Sequence, residues 1–272
     1  MKRTIASSFA NKIILVILAF IVLTYFFLVA LPLAAVFLRI QPNQIIEQLQ
    51  NSQIITAIKL SLYTSAIATF LAFVLAVPTG YFMATRRFPG KAIIDTIIDL
   101  PIVLPPAVAG VALLFAFAPR GLLGPTLNFL GLTIPGYPVA VVIAETFVAS
   151  PFLLRSAKTG FESMDQDVIN SAKILSGSRL RVFFTVSLPL TFRAILSGTM
   201  MTWARAMGEF GATLMFAGNL PGITQTMPLA IYTLLYSDPL AGVMLSIILI
   251  VISFSILIII KLLEQKRFGR KK

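Results

Sequence analysis

The sequence predicts an all-α polytopic membrane protein with six transmembrane helices, and three observations lead there. Of the 272 residues, 58% are hydrophobic and only 12% are charged, against about 25% charged in an ordinary soluble chain. The hydrophobic residues gather into runs long enough to cross a bilayer, which takes about 20 residues of helix. Lysine and arginine collect between those runs, and alternate gaps carry almost all of them.

The first run, Ile13 to Leu38, is interrupted only by Thr24, Tyr25 and Pro32. It is too long for a signal-peptide core, and no small-residue cleavage site follows it, so it is read as span one. Span two is expected near Ile54 to Ala84, with Lys59 in its first turns where the stem can snorkel to the interface. Span three, Leu100 to Ala118, contains Pro101, Pro105 and Pro106 and is expected to be bent or broken. Span four lies at Tyr137 to Leu154, span five at Leu190 to Phe216 and span six at Leu240 to Ile260. The chain then divides into residues 1–53 (first span and an external segment), a core over 54–260 and a basic tail over 261–272.

Six spans place both termini on one side. That side receives Lys2, Arg3 and Lys12, then Arg86, Arg87 and Lys91, then Arg155, Lys158, Lys173, Arg179, Arg181 and Arg193, and finally the tail cations from Lys261 to Lys272. The other side has only Arg39 and Arg120. By the positive-inside rule both termini are expected in the cytoplasm of a multi-pass plasma or inner membrane protein.

Composition excludes several chemistries. The net charge is +12, but the cations fall in short segments between apolar runs and not in one patch, so nucleic acid is not expected as a partner. With no Cys and no His, thiolate and imidazole metal sites and cysteine nucleophiles are ruled out. The ten acidic residues are scattered, which argues against a carboxylate metal cluster or a catalytic constellation. The chain also lacks a G-x-x-x-x-G-K-[ST] phosphate loop. It is therefore read as no enzyme, with no cofactor of its own.

The longest connection on the basic side, Phe161 to Leu190, is more than a linker. Ser163 followed by Gln166 suggests a capping box, and Asp165 and Asp167 suit a helix N-terminus. Met164, Val168, Ala172 and Leu175 recur at helical spacing and define one apolar face of a short helix that Gly177 can end. Such a face either lies on the headgroups or enters a groove on another protein.

Within span five, Arg205 and Glu209 are four residues apart and are expected to pair on one helix face, with Gly208 and Gly211 allowing a neighbour to approach. Trp203 is expected to pack against a neighbour. Beyond this span, the segment from Gly218 to Pro239 is almost uncharged. Its Thr224, Gln225 and Thr226 are candidates for a surface facing the pore or an external partner, and Leu229 to Leu235 for a short re-entrant piece.

These segments resemble the permease subunits of ATP-binding-cassette importers. The basic-side loop is similar to that family's ATPase-coupling motif, with Asn170, Ser171 and Ala172 at its opening, Ser176 and Gly177 near the usual glycine, and Leu188–Pro189 at its end. The family's usual glutamate and glycine are replaced here. The stretch ARAMGEFGATLMFAGNLPGITQTMPLAIY, Ala204 to Tyr232, resembles the molybdate and tungstate permeases, as do RRFPGK at Arg86 to Lys91 and DLPIVLPPAVAGVALL at Asp99 to Leu114. Sulfate and thiosulfate permeases share RAMGEFGA, and the continuation favours molybdate or tungstate.

The resemblance implies the type I importer permease fold. It implies a homodimer beside two cytoplasmic ATPase subunits that bind ATP and Mg2+, and an external oxyanion-binding protein. A secondary transporter or channel would explain the spans but would leave the amphipathic loop helix without a role.

Overall fold

The computed structural model describes residues 2–39, 51–176 and 178–268, so Gly177, the expected helix stop, lies outside the described residues. In chain order the helices are α1 (Lys2–Phe37), α2 (Ser52–Thr85), α3 (Lys91–Val103), α4 (Pro106–Phe117), α5 (Gly124–Phe129), α6 (Pro138–Glu162) and α7 (Gln166–Ser176). There follow α8 (Arg179–Val182), a π-helical turn (Phe183–Ser187), α9 (Leu188–Leu190), α10 (Phe192–Met207), α11 (Gly211–Phe216), α12 (Met227–Ser237) and α13 (Pro239–Phe268).

Helices α1, α2, α6 and α13 are each long and apolar enough to cross a membrane. Two bent pairs bring the number to six where each is one span: α3 with α4, at 114°, and the α8–α9 segment with α10, at 75°, a pair that begins at Arg179 and so starts before the expected span five. The first bend falls where the prolines put it. Pro105 and Pro106 bring no N–H to the helix ladder, and Leu104 and Pro105 are extended, with ψ of 134° and 133°.

Span five differs from its expectation. It is no continuous helix from Leu190 to Phe216: α10 stops at Met207, Gly208 to Phe210 form a break, and α11 resumes at Gly211. No proline marks this break. Glu209 occupies it, and its carboxylate serves both sides, as described below.

Helix α6 is the spine, with α2 and α10 packed along it. Small residues set the spacing. A Cβ at Gly160 would stand 2.7 Å from the Ala194 Cβ, and one at Gly198 would stand 2.6 Å from the Ser156 Cβ. Where lipid surrounds a bundle, such close backbone approach replaces the hydrophobic effect as the source of helix association. Leu153, Ala157 and Phe161 of α6 pack with Ala76 and Val77 of α2 and Ile195 of α10 in one buried cluster.

The second broken region is locked by the same device. A Cβ on Gly110 of α4 would lie 2.7 Å from both the Ala212 carbonyl oxygen and the Met215 Cβ of α11. One on Gly211 would lie 2.7 Å from the Pro106 Cβ. The half-helices α4 and α11 therefore touch nearly backbone to backbone. Gly208 has no such neighbour, so the expected close-packing role falls to Gly211 alone.

Helix α1 stands apart. No residue between Ile14 and Phe37 is buried within the chain, and among the described residues the main contact of α1 is along α13.

Candidate functional site

The loop helix forms, starting two residues later than expected, at Gln166. Asp165, not Ser163, caps it: the Asp165 Oδ1 accepts the Asp167 N–H at 2.8 Å, while the Ser163 hydroxyl donates to the Gly160 carbonyl. Met164 therefore precedes the helix. It is buried with Ile169 against Leu153, Leu154 and Phe161, so it does not belong to an exposed face. That corrects the expected apolar face.

Ile169 seats α7 on the bundle and Ala172 is half-buried. Val168, Ile174 and Leu175 point outward, and Ile174 and Leu175 are 84% and 88% exposed. Asn170 and Ser171 are exposed, and Lys173 donates to the Asn170 Oδ1 at 3.4 Å. Ser176 is the last residue of the helix. A helix anchored on one side and bare on the other is a handle: force applied to its outer face reaches α6 through Met164 and Ile169.

The connection behind α7 is stiff. The Tyr81 ring of α2 meets Phe161 of α6 at 5.1 Å and Phe183 of the π-helical turn at 4.8 Å, both edge-on. Nearby, α3 is held to the end of α6 by two ion pairs, Lys158–Asp95 at 2.8 Å and Arg155–Asp99 at 2.6 Å. The basic-side elements are thus tied to one another before any partner is added.

Deeper in the bundle, Arg205 Nη2 lies 2.6 Å from Glu209 Oε2. The expected pair exists, but its two members do not share a helix. Arg205 lies in the last turn of α10, and Glu209 sits in the break with its other oxygen accepting the Ala212 N–H at 2.8 Å. Glu209 thereby caps α11, satisfying a backbone donor that hydrocarbon could not. Glu209 is 1% exposed, whereas the Arg205 side chain remains 29% exposed. Trp203 packs at the edge of the cluster formed by Ile54, Met207, Met227 and Leu245.

Thr224, Gln225 and Thr226 do not form an outer surface, because all three are buried. The Thr224 hydroxyl accepts the Leu220 N–H at 3.1 Å, and the Gln225 Oε1 accepts from Gln53 Nε2 at 3.0 Å. The Met227 N–H just beyond donates to Ser61 of α2 at 2.7 Å. The segment knits α12 to α2. In a bilayer, polar side chains turn inward to find partners, and here that tendency reverses the rule that serves for soluble loops.

Sequence reasoning passed over Glu145. It lies in mid-α6, is 2% exposed, and its Oε1 accepts the Thr64 hydroxyl at 3.0 Å. Ser61, Thr64, Ser65 and Thr69 make a buried hydroxyl stripe on α2 beside it. A lone carboxylate in the middle of an apolar run was the signal available.

Residues 76–269 match the family described as binding-protein-dependent transport system inner membrane component. A molybdenum transport system permease protein of Mycobacterium tuberculosis is 38% identical over 225 residues, covering 83% of this chain and 85% of the relative. A molybdate/tungstate transport system permease protein of Thermococcus kodakarensis is 35% identical over 224 residues, covering 80% of this chain and 85% of the relative. Among solved structures, a bacterial alginate ABC transporter in complex with its alginate-bound periplasmic protein has a chain that superposes with a TM-score of 0.73 at 15% identity. The superposition spans 94% of this chain and 95% of that one. The inward-facing methionine ABC transporter gives 0.59 at 16% identity, over 77% of this chain and 94% of that one. At those identities the likeness concerns the fold, and the fold is that of ABC importer permeases.

Proposed function

We propose, from the premise that this chain belongs to the binding-protein-dependent transport system inner membrane components, that it is the permease subunit of an ATP-driven importer of molybdate or tungstate. The observation that carries the cargo is the identity of 35% to 38% with molybdenum and molybdate/tungstate permeases over at least four-fifths of the chain. In the working assembly two copies of the chain share the membrane with lipid, and two cytoplasmic ATPase subunits hold ATP and Mg2+. An external binding protein delivers the oxyanion. Both termini are cytoplasmic, a reading supported by the lysine and arginine bias.

The mechanism follows from the handle. The exposed Val168, Ile174 and Leu175 of α7 enter a groove on the ATPase. Closure of the ATPases on ATP displaces α7, and Met164, Ile169 and the Tyr81–Phe161–Phe183 rings pass the displacement to α6 and α2. The breaks at Leu104–Pro105 and Gly208–Phe210 let α4 and α11 move as a unit relative to the longer helices. The pathway opens alternately to each side. Arg205 offers a passing anion some attraction, and Glu209 at 2.6 Å offsets it. Weak attraction suits a conduit that must release what it admits. Selectivity then lies chiefly with the binding protein.

The test is uptake by proteoliposomes that contain the chain, its ATPase and the external binding protein. Molybdate and tungstate are expected to accumulate only with ATP and to resist excess sulfate. Preferential sulfate uptake would overturn the cargo. Equal flux without the ATPase would overturn the importer mechanism.

A further inference from the structure

A cavity of about 480 Å³ opens between the C-terminal end of α2, Lys173 of α7 and the α8–π-helical segment from Arg179 to Phe184. Its lining includes Arg86, Lys173 and Arg179, and none of its lining residues is acidic. Its wall is apolar and aromatic, including Pro78, Phe82 and Phe184. Phe82 and Phe184 are 52% and 58% exposed, so the wall continues onto the outer surface of the bundle. Arg86 opens the RRFPGK segment, and transport as described above gives these cations no role.

We infer that this cavity binds an anionic phospholipid, with its phosphate on Arg86, Lys173 and Arg179 and an acyl chain along Pro78, Phe82 and Phe184. Two features select this ligand. Three exposed cations with no lining carboxylate attract an anion, and basic pockets between helices at the membrane surface take phospholipid headgroups. A free oxyanion would use the cations but would leave the aromatic wall uncovered. An amphiphile with phosphate at one end and hydrocarbon at the other covers both. Its position matters because α2, α7 and α8 all border the cavity: a bound lipid braces the loop helix from the membrane side.

The experiment is native mass spectrometry of the purified permease–ATPase complex, stripped of lipid and titrated with phosphatidylglycerol or phosphatidylcholine at low ionic strength. Phosphatidylglycerol is expected to be retained in preference to phosphatidylcholine. Its affinity should fall about fivefold for each of Arg86→Gln, Lys173→Gln and Arg179→Gln. The charge-preserving Arg86→Lys and Arg179→Lys should retain it, as should Arg120→Gln on the opposite side. Equal retention of the two lipids, an equal loss with Arg120→Gln, or no loss in the triple variant would overturn the site. Displacement of the lipid by millimolar phosphate or molybdate at constant ionic strength would reassign the cavity to a free oxyanion and overturn the lipid. Preference restored to the triple variant when the ATPase is removed would show that the partner and not the cavity governs lipid access, which also overturns it.

Discussion

The Arg205–Glu209 pair makes a double-mutant test of how a broken helix is held inside the membrane. Arg205→Leu leaves a carboxylate that is 1% exposed without its cation. Removing one member of a fully buried pair costs about 3–5 kcal/mol. The Arg205 side chain is 29% exposed, so part of its charge is already solvated and a loss of about 2–3 kcal/mol is expected. Glu209→Gln should cost about 2 kcal/mol, because its amide oxygen can still accept the Ala212 N–H. Glu209→Ala loses that cap as well and should cost about 1 kcal/mol more. The double variant Arg205→Leu with Glu209→Gln has neither charge to strand, so its cost should fall short of the sum of the two single costs by about 1–3 kcal/mol. Thermal unfolding of the detergent-purified chain measures the four midpoints, and size-exclusion yield reports assembly. Costs that add to within about 0.5 kcal/mol would refute the pairing as a source of stability. Normal assembly of Arg205→Leu with altered oxyanion preference would move the arginine from structure to selectivity.

Other consequences are quicker to check. Val168→Asp with Leu175→Asp should abolish most ATPase co-purification while leaving the stability within about 0.5 kcal/mol of wild type, since both positions are surface-exposed. Ile169→Asp, at the buried seat of α7, should instead lower the stability by about 3 kcal/mol or more. Gly110→Ala should cost about 1–3 kcal/mol through its contact with the Ala212 backbone, whereas Gly208→Ala should be nearly neutral in packing. Both are measured by the same thermal assay. Asp95→Asn and Asp99→Asn should each cost about 0.2–1 kcal/mol, with the difference from wild type shrinking as salt is raised.

The spans were legible because hydrocarbon imposes a length and a composition that any sequence must display. The bend at Leu104–Pro105 was legible because proline cannot hide its missing N–H. The break at Gly208–Phe210 was not, since the apolar run passes through it without a proline, and the carboxylate that makes it tolerable is read from sequence as half of an i, i+4 pair. Met164 was assigned to the outer face because the four-residue period continues upstream of the true cap, and only Asp165 decides where the helix begins. Thr224 to Thr226 were misplaced for a different reason. Polarity signals water-facing surface in a soluble loop but an inward search for partners in a membrane, and sequence alone does not say which of the two a short polar turn obeys.

Helix α1 makes a separate point. With no buried residue from Ile14 to Phe37, nothing in the chain's own fold chooses between Ile, Leu, Val and Phe at any position along it. What constrains this segment is a partition coefficient, summed over the segment and indifferent to order. Its residues can be permuted at almost no cost to the fold of the remaining helices, while one lysine at its centre would change the sum by about 3 kcal/mol. Such a segment drifts freely in sequence while keeping its place, and it is a poor register of descent compared with the glycine contacts of α4 and α11, where a single methyl group meets a backbone.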